Sequence, residues 1–173
     1  MSHNIRRRDV VKALGASGTV ALAGCAGNGG GGDGGGRTLS QGILMPLSGG
    51  LGNLGQPIRD GATLPFTLLE GNTEFTIDSQ VEDTQTDPNA GQTAASALVD
   101  AGYPAVTGAA SSEVTIQVAA NVFIPNSVVG CSPASTSPAI TDLHDNNLTW
   151  RTPPTDALAG TVLALRASAD TGP

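Results

Sequence analysis

Between Ser40 and Thr152 five short runs of β type alternate with stretches of helical spacing, and this alternation limits the fold more than any other feature of the chain. Strands separated by helices cannot pair through tight hairpins, so they line up in parallel with the helices packed on the sheet. The runs are SQGILM (40–45), FTIDSQV (75–81), YPAVTG (103–108), SVVGCS (127–132) and LTWRT (148–152). The expected architecture is α/β: a parallel, Rossmann-like sheet with a single core, built from the segment Arg37 to Pro173.

The intervening segments carry helical periodicity. In NAGQTAASALVDAG (89–102), Ala94, Leu98 and Ala101 recur on one face, Asp87-Pro88-Asn89 supplies the turn and cap, and Gly102 closes the helix. Ile58, Ala62, Phe66 and Leu69 form a second stripe, but Pro65 lies among them. A proline inside a helix removes a backbone donor and costs about 3 kcal/mol or more, so this helix is expected to kink or stop early. A last helix is expected from about Asp156 to Ala169.

The first 36 residues follow a different logic. Arg6, Arg7 and Arg8 precede a weakly apolar stretch, Ala13 to Ala23, that ends in small residues, the order of an export signal. That stretch is too short for a spanning helix, which needs roughly 20 apolar residues. RRRDVVK (6–12) resembles a twin-arginine signal and LAGC (22–25) resembles a lipobox, which implies that residues 1–25 are the signal and that Cys25 is lipidated. Residues 26–37, nearly all glycine at first, read as a disordered tether. The expected location is the outer face of the cytoplasmic membrane, held there by the lipid.

Composition narrows the chemistry. From Ala26 onward there are four arginines (37, 59, 151 and 166), no lysine, and fourteen aspartates and glutamates, a balance that disfavours nucleic acid as a partner. Such an acidic, lysine-free surface resembles proteins of extreme halophiles and speaks to solubility rather than fold. Cys131 is left without a disulfide partner once Cys25 is modified, and two histidines, His3 and His144, provide no metal site. No Ser-His-acid set, G-x-S-x-G elbow or phosphate loop is present, so the residues do not point to an enzyme, and no cofactor is implied.

Ligands of open α/β sheets bind beyond the carboxyl ends of the strands. The segments there are PLSGGLGNLGQ (46–56), TGAASSE (107–113) and SPASTSP (132–138), all rich in small residues and hydroxyls. Ser111 or Ser112 can cap a helix running through Val114 to Val122, and Ser137-Pro138 can open another. Two helix N-termini facing one crevice, with the hydroxyls of Ser112 and Thr136 beside them, would suit a small anionic or zwitterionic ligand.

These segments, together with VEDTQTDPNAGQTAASALVDAG (81–102) and WRTPPTDALAG (150–160), resemble the substrate-binding proteins of branched-chain amino-acid ABC transporters, of the type I periplasmic-binding fold. The resemblance runs from about Ser40 to Gly160. It implies that Ser112 and Thr136 meet the ligand carboxylate, and that Thr136 and the Ala134 carbonyl meet its ammonium group. Ala110 and Ser111 would line the same wall, with Leu51 to Leu54 at the mouth. Implied partners are an amino acid or related small carboxylate and the permease subunits of an importer.

That family folds into two lobes, which makes residues 38–153 a partial first lobe and 154–173 the opening helix of a second, so the chain is expected to be an N-terminal fragment. An incomplete cleft is expected to bind weakly, in the millimolar range or below detection. The same fold also serves as a sensing module for membrane signalling partners, an alternative that adjacent transducer rather than permease genes would favour.

Overall fold

The structure, a computed structural model, describes residues 37–171. The signal, Cys25 and nearly all of the tether lie outside the described residues.

All five expected strands form: β1 (Thr38–Met45), β2 (Thr76–Asp83), β3 (Ala105–Gly108), β4 (Val129–Ser132) and β5 (Thr149–Arg151). Every pairing is parallel and the order is β2-β1-β3-β4-β5. The chain steps outward from β1 to β2, then crosses back to β3 on the other side of β1. This reversal opens a crevice beyond the ends of β1 and β3, and fixes which loops can share a ligand.

Side chains of a strand alternate between faces, and β1 uses the alternation fully. Leu44 points into a cluster with Ala94, Ala95, Leu98, Val106, Val114 and Val118, whereas Ile43 and Met45 join Ala110 on the opposite face. Helix α1 (Gly52–Leu69) covers that second face with Ile58, Ala62 and Phe66. Helices α2 (Pro88–Asp100) and α3 (Ser112–Val118) cover the first.

Helix α2 follows the sequence closely. The Asp87 carboxylate accepts hydrogen bonds from the amides of Asn89 and Ala90 at 2.9 and 2.8 Å, with Pro88 at the first helical position. At the other end Gly102, with φ 89°, donates to the Val99 carbonyl and Tyr103 donates to that of Leu98, at 2.9 and 3.1 Å, a Schellman closure. Ala94 and Leu98 are buried, but Ala101 is the exposed C-cap rather than part of the packed face.

Helix α1 departs from expectation, since it runs through both Pro57 and Pro65 without stopping. The carbonyls that lose their donors belong to Asn53 and Gly61, both on exposed residues where water can reach them. Leu69, expected on the packed stripe, is exposed at the end of the helix. The expected helix through Val114 to Val122 is divided: α3 ends at Val118 and continues as a π-helical turn, Ala119–Phe123.

Helix α4 (Asp156–Thr171) forms where expected. Its Leu158, Val162, Leu163 and Leu165 are 61–69% exposed, so it adds nothing to the core of the described residues. Among those residues no helix is long and apolar enough to cross a membrane.

Candidate functional site

Three loops leave the carboxyl ends of β1, β3 and β4 at one edge of the sheet. The first is held by Asp83 at the end of β2. Its Oδ1 accepts from the amides of Leu47 and Gln85, each at 2.8 Å, and its Oδ2 accepts from Ser48 Oγ at 2.6 Å. Thr86 Oγ1 adds a bond to the Ser48 carbonyl and accepts from Leu51 N–H, at 3.1 and 3.0 Å. Leu51 is thereby fixed at the start of α1, while Leu54 projects into solvent.

Partial burial works to raise the Asp83 pKa, but the bonds from the Ser48 hydroxyl and from the Gln85, Leu47 and Ser48 amides prevail and hold it below the usual carboxylate value. A folded-state pKa below the unfolded one stabilises the loop above about pH 4 and stops doing so as pH falls through the lower folded value. Amide exchange resolved by NMR should therefore show the protection of Leu47 falling in acid below pH 4. It should fall about tenfold at neutral pH in Asp83→Asn. Unchanged protection in that variant would remove Asp83 as the clamp.

The second and third loops are joined by buried hydroxyls. The Ala109 carbonyl accepts from Thr115 Oγ1 at 2.9 Å and from Ser132 Oγ at 2.5 Å. Ser135 Oγ lies 2.8 Å from Thr115 Oγ1 and 3.1 Å from the Ala110 carbonyl, and with Thr115 donating to Ala109 the single Ser135 hydrogen serves one of these two acceptors. Ser135 N–H donates to Ser132 Oγ at 3.0 Å. Thr115, Ser132 and Ser135 are at most 3% exposed, so each bond is made where water cannot replace it.

On this frame the structure brings most of the expected residues together. Ser112 Oγ accepts from Ser137 N–H at 3.3 Å, which ties the β3 loop directly to the β4 loop. Thr136 lies one residue before that contact, and its Oγ1 donates to Asp156 Oδ2 at 2.8 Å. Ala110 is buried on the α1 face of the sheet and Ala134 packs partly buried against the same cluster. Ser111 is the N-cap of α3 but makes no side-chain cap bond. Leu51 and Leu54 belong to the separate first loop, and the Leu51 amide bonds to Thr86 rather than to the other two loops.

The expected pair of helix N-termini is corrected. Helix α3 has only seven residues, and the element that Ser137 caps, through Ala139 N–H at 3.3 Å, is a three-residue 3-10 turn, Pro138–Ile140. The second is too short to accumulate a helix dipole, and only α3, continued by the π-helical turn to Phe123, presents a helix N-terminus, so recognition would fall largely on hydroxyls and individual backbone groups. The sequence reading chose Ser112 and Thr136 but missed Thr115, Ser132, Ser135 and Asp156. The i+3 spacing of Ser132 and Ser135 across a loop was a usable signal for the inward pair.

A cavity of about 330 Å³ lies elsewhere, against β5, among Ile140, Thr141, Asp145, Asn147, Thr149, Trp150 and Arg151. Partial burial pushes the Cys131 thiol up from its ordinary pKa, which favours its protonated form. Among the described residues no three His, Cys, Asp or Glu side chains gather as a metal site.

Comparison with known proteins agrees with the fold. Residues 39–171 match the family described as periplasmic binding protein. No curated protein matched the sequence. Among solved structures, the branched-chain amino acid transporter substrate-binding protein LivJ from Streptococcus pneumoniae, in complex with isoleucine, superposes with a TM-score of 0.64 at 22% identity, covering 69% of this chain and 35% of that one. An ABC transporter substrate-binding protein from Desulfitobacterium hafniense, complexed with Leu, gives 0.64 at 25% identity, covering 79% and 40%. A solute-binding protein of an ABC transporter from Rhodopseudomonas palustris, in complex with 3,4-dihydroxybenzoic acid, gives 0.59 at 21%, covering 68% and 32%. The chain thus spans well under half the length of these proteins, and it aligns with the part of the fold built above. With the match extending from β1 into α4, the chain belongs to the periplasmic binding protein family.

Proposed function

We propose that the chain supplies the first lobe of an exported solute-binding protein that delivers an amino acid, of branched-chain type, or a similar small carboxylate to the permease of an ABC importer. The observation that carries this reading is the direct bond between the β3 and β4 loops, Ser137 N–H to Ser112 Oγ, which sets two hydroxyl-bearing loops side by side at the carboxyl edge of the sheet, next to the switch point between β1 and β3. The relatives bound to isoleucine and leucine have the same fold. Binding rather than catalysis is the role: the family is one of binding proteins, and neither Ser112 nor Thr136 hydrogen-bonds His144, which is exposed.

In this reading Ser112 holds the ligand carboxylate, and Thr136 and the Ala134 carbonyl hold the ammonium group; the expected contact of the Thr136 hydroxyl with the carboxylate is set aside, because Thr136 Oγ1 donates to Asp156. Ala110 and Ser111 line the wall, with Leu51 and Leu54 at its rim. The lipidated Cys25 and the glycine tether would keep the domain at the outer face of the cytoplasmic membrane; membrane fractionation of a Cys25→Ser variant decides that point. The described loops form one wall, and a ligand held on one side forgoes the burial that a closed cleft provides.

The expected result is therefore weak binding. Titrating leucine into the isotope-labelled chain should move the amide resonances of 107–113 and 132–138 with a dissociation constant of about a millimolar. Ser112→Ala should weaken this about tenfold. Shifts confined to other regions, such as the β5 cavity, would overturn the reading.

A further inference from the structure

The hydroxyls that the β3 and β4 loops bring to this site have opposite polarity. Thr136 Oγ1 donates to Asp156 Oδ2 at 2.8 Å, and a carboxylate oxygen only accepts, so the direction of that bond is fixed. The pair is closed by a second bond, from Asp156 N–H to the Thr136 carbonyl at 2.9 Å. A hydroxyl has one hydrogen, and that of Thr136 is committed. What Oγ1 still offers is lone-pair density, which takes a hydrogen bond only from a donor.

Ser112 is arranged the other way. Its Oγ accepts from Ser137 N–H at 3.3 Å and so keeps its own hydrogen for an acceptor. The β3 loop thus presents a donor, and the β4 loop an acceptor with a negative charge behind it. That is the complement of a zwitterion.

We propose that Asp156 is the residue that sets this polarity. By holding the Thr136 hydroxyl as an acceptor, it makes that end of the site take a ligand's ammonium group and reject a carboxylate. Asp156 is then a positioning and specificity residue, selecting amino acids over carboxylic acids of the same shape. The inference rests on the reading that the ligand lies between the β3 and β4 loops. It separates this site from that of a relative bound to 3,4-dihydroxybenzoic acid, a ligand with no ammonium group.

Both partners are accessible to water, so the Coulombic part is modest and the hydrogen-bond direction carries most of the selectivity. Removing the acceptor frees the Thr136 hydrogen for a carboxylate. An Asp156→Ala variant should accordingly lose discrimination, whereas Asp156→Asn, which retains an acceptor oxygen without the charge, should retain part of it.

The test compares three probes in NMR titrations of the full chain: leucine, 4-methylpentanoate, which lacks the ammonium, and 3-methylbutylamine, which lacks the carboxylate. In the unmodified protein leucine and the amine should shift the Thr136 and Asp156 amides and the acid should not. The preference for leucine over the acid should fall about tenfold in Asp156→Ala, and less in Asp156→Asn. Overlaid spectra without ligand verify that the exposed substitution leaves the fold intact. If leucine shifts Ser112 but its preference over the acid is unchanged in Asp156→Ala, the binding site stands and the role of Asp156 is overturned. If none of the probes shifts either loop at tens of millimolar, the site itself is wrong and the inference falls with it.

Discussion

Replacing Gly108 with alanine is expected to lower the thermal midpoint by about 10 °C or more, or to remove a cooperative melt altogether. Gly108 ends β3 with φ 144°, a region that side chains rarely adopt. A Cβ there would stand 2.1 Å from the Leu44 carbonyl oxygen and 2.9 Å from the Leu44 Cβ. Leu44 pairs with Gly108 across the sheet, so the clash is with backbone in the central strand and no rotamer change relieves it. Strain and overpacking together cost about 3 kcal/mol or more, a large part of the 5–15 kcal/mol that holds a typical domain together. Gly50→Ala is the control, since a Cβ at Gly50 meets nothing within 4 Å. That variant should melt within about a degree or two of the parent. A Gly108→Ala protein that did the same would mean that β1 and β3 do not approach as described.

The sheet was legible in the sequence and the site was not. Short apolar runs marked the strands, and the alternation of side chains along any strand then sets Ile43 and Met45 opposite Leu44. The Asp87 cap and the Gly102 closure are local chemistry, written within a few residues of where they act. Pro65 misled because its cost depends on whether water can reach the Gly61 carbonyl, and exposure is a property of the packed chain. Among the hydroxyls of 107–115 and 132–137, the sequence could not say which point inward. Thr115, Ser132 and Ser135 are set by the paths of two loops brought together only when β3 and β4 pair. The partnership of Thr136 and Asp156 spans 20 residues for the same reason.

That inward set has a measurable consequence. Ser132→Ala is expected to destabilise the fold by about 2 kcal/mol in urea titrations, more than an exposed serine-to-alanine change of any kind. The alanine removes the donor to the Ala109 carbonyl and strands the buried Ser135 N–H, whose partner is Ser132 Oγ at 3.0 Å. Ser135→Ala should cost less, about 1 kcal/mol, because Thr115 Oγ1 keeps its bond to the Ala109 carbonyl. Since the two serines share one network, the double variant should fall short of the summed losses by about 1 kcal/mol. Additive losses would mean that the bonds act separately and that the two loops are not locked as a unit. The distinction reaches the proposed binding surface, because Ala110, Ser112, Ala134 and Thr136 are carried on those loops. If the lock is cooperative, Ser132→Ala should also weaken leucine binding without touching the ligand, by letting the donor end and the acceptor end drift out of register.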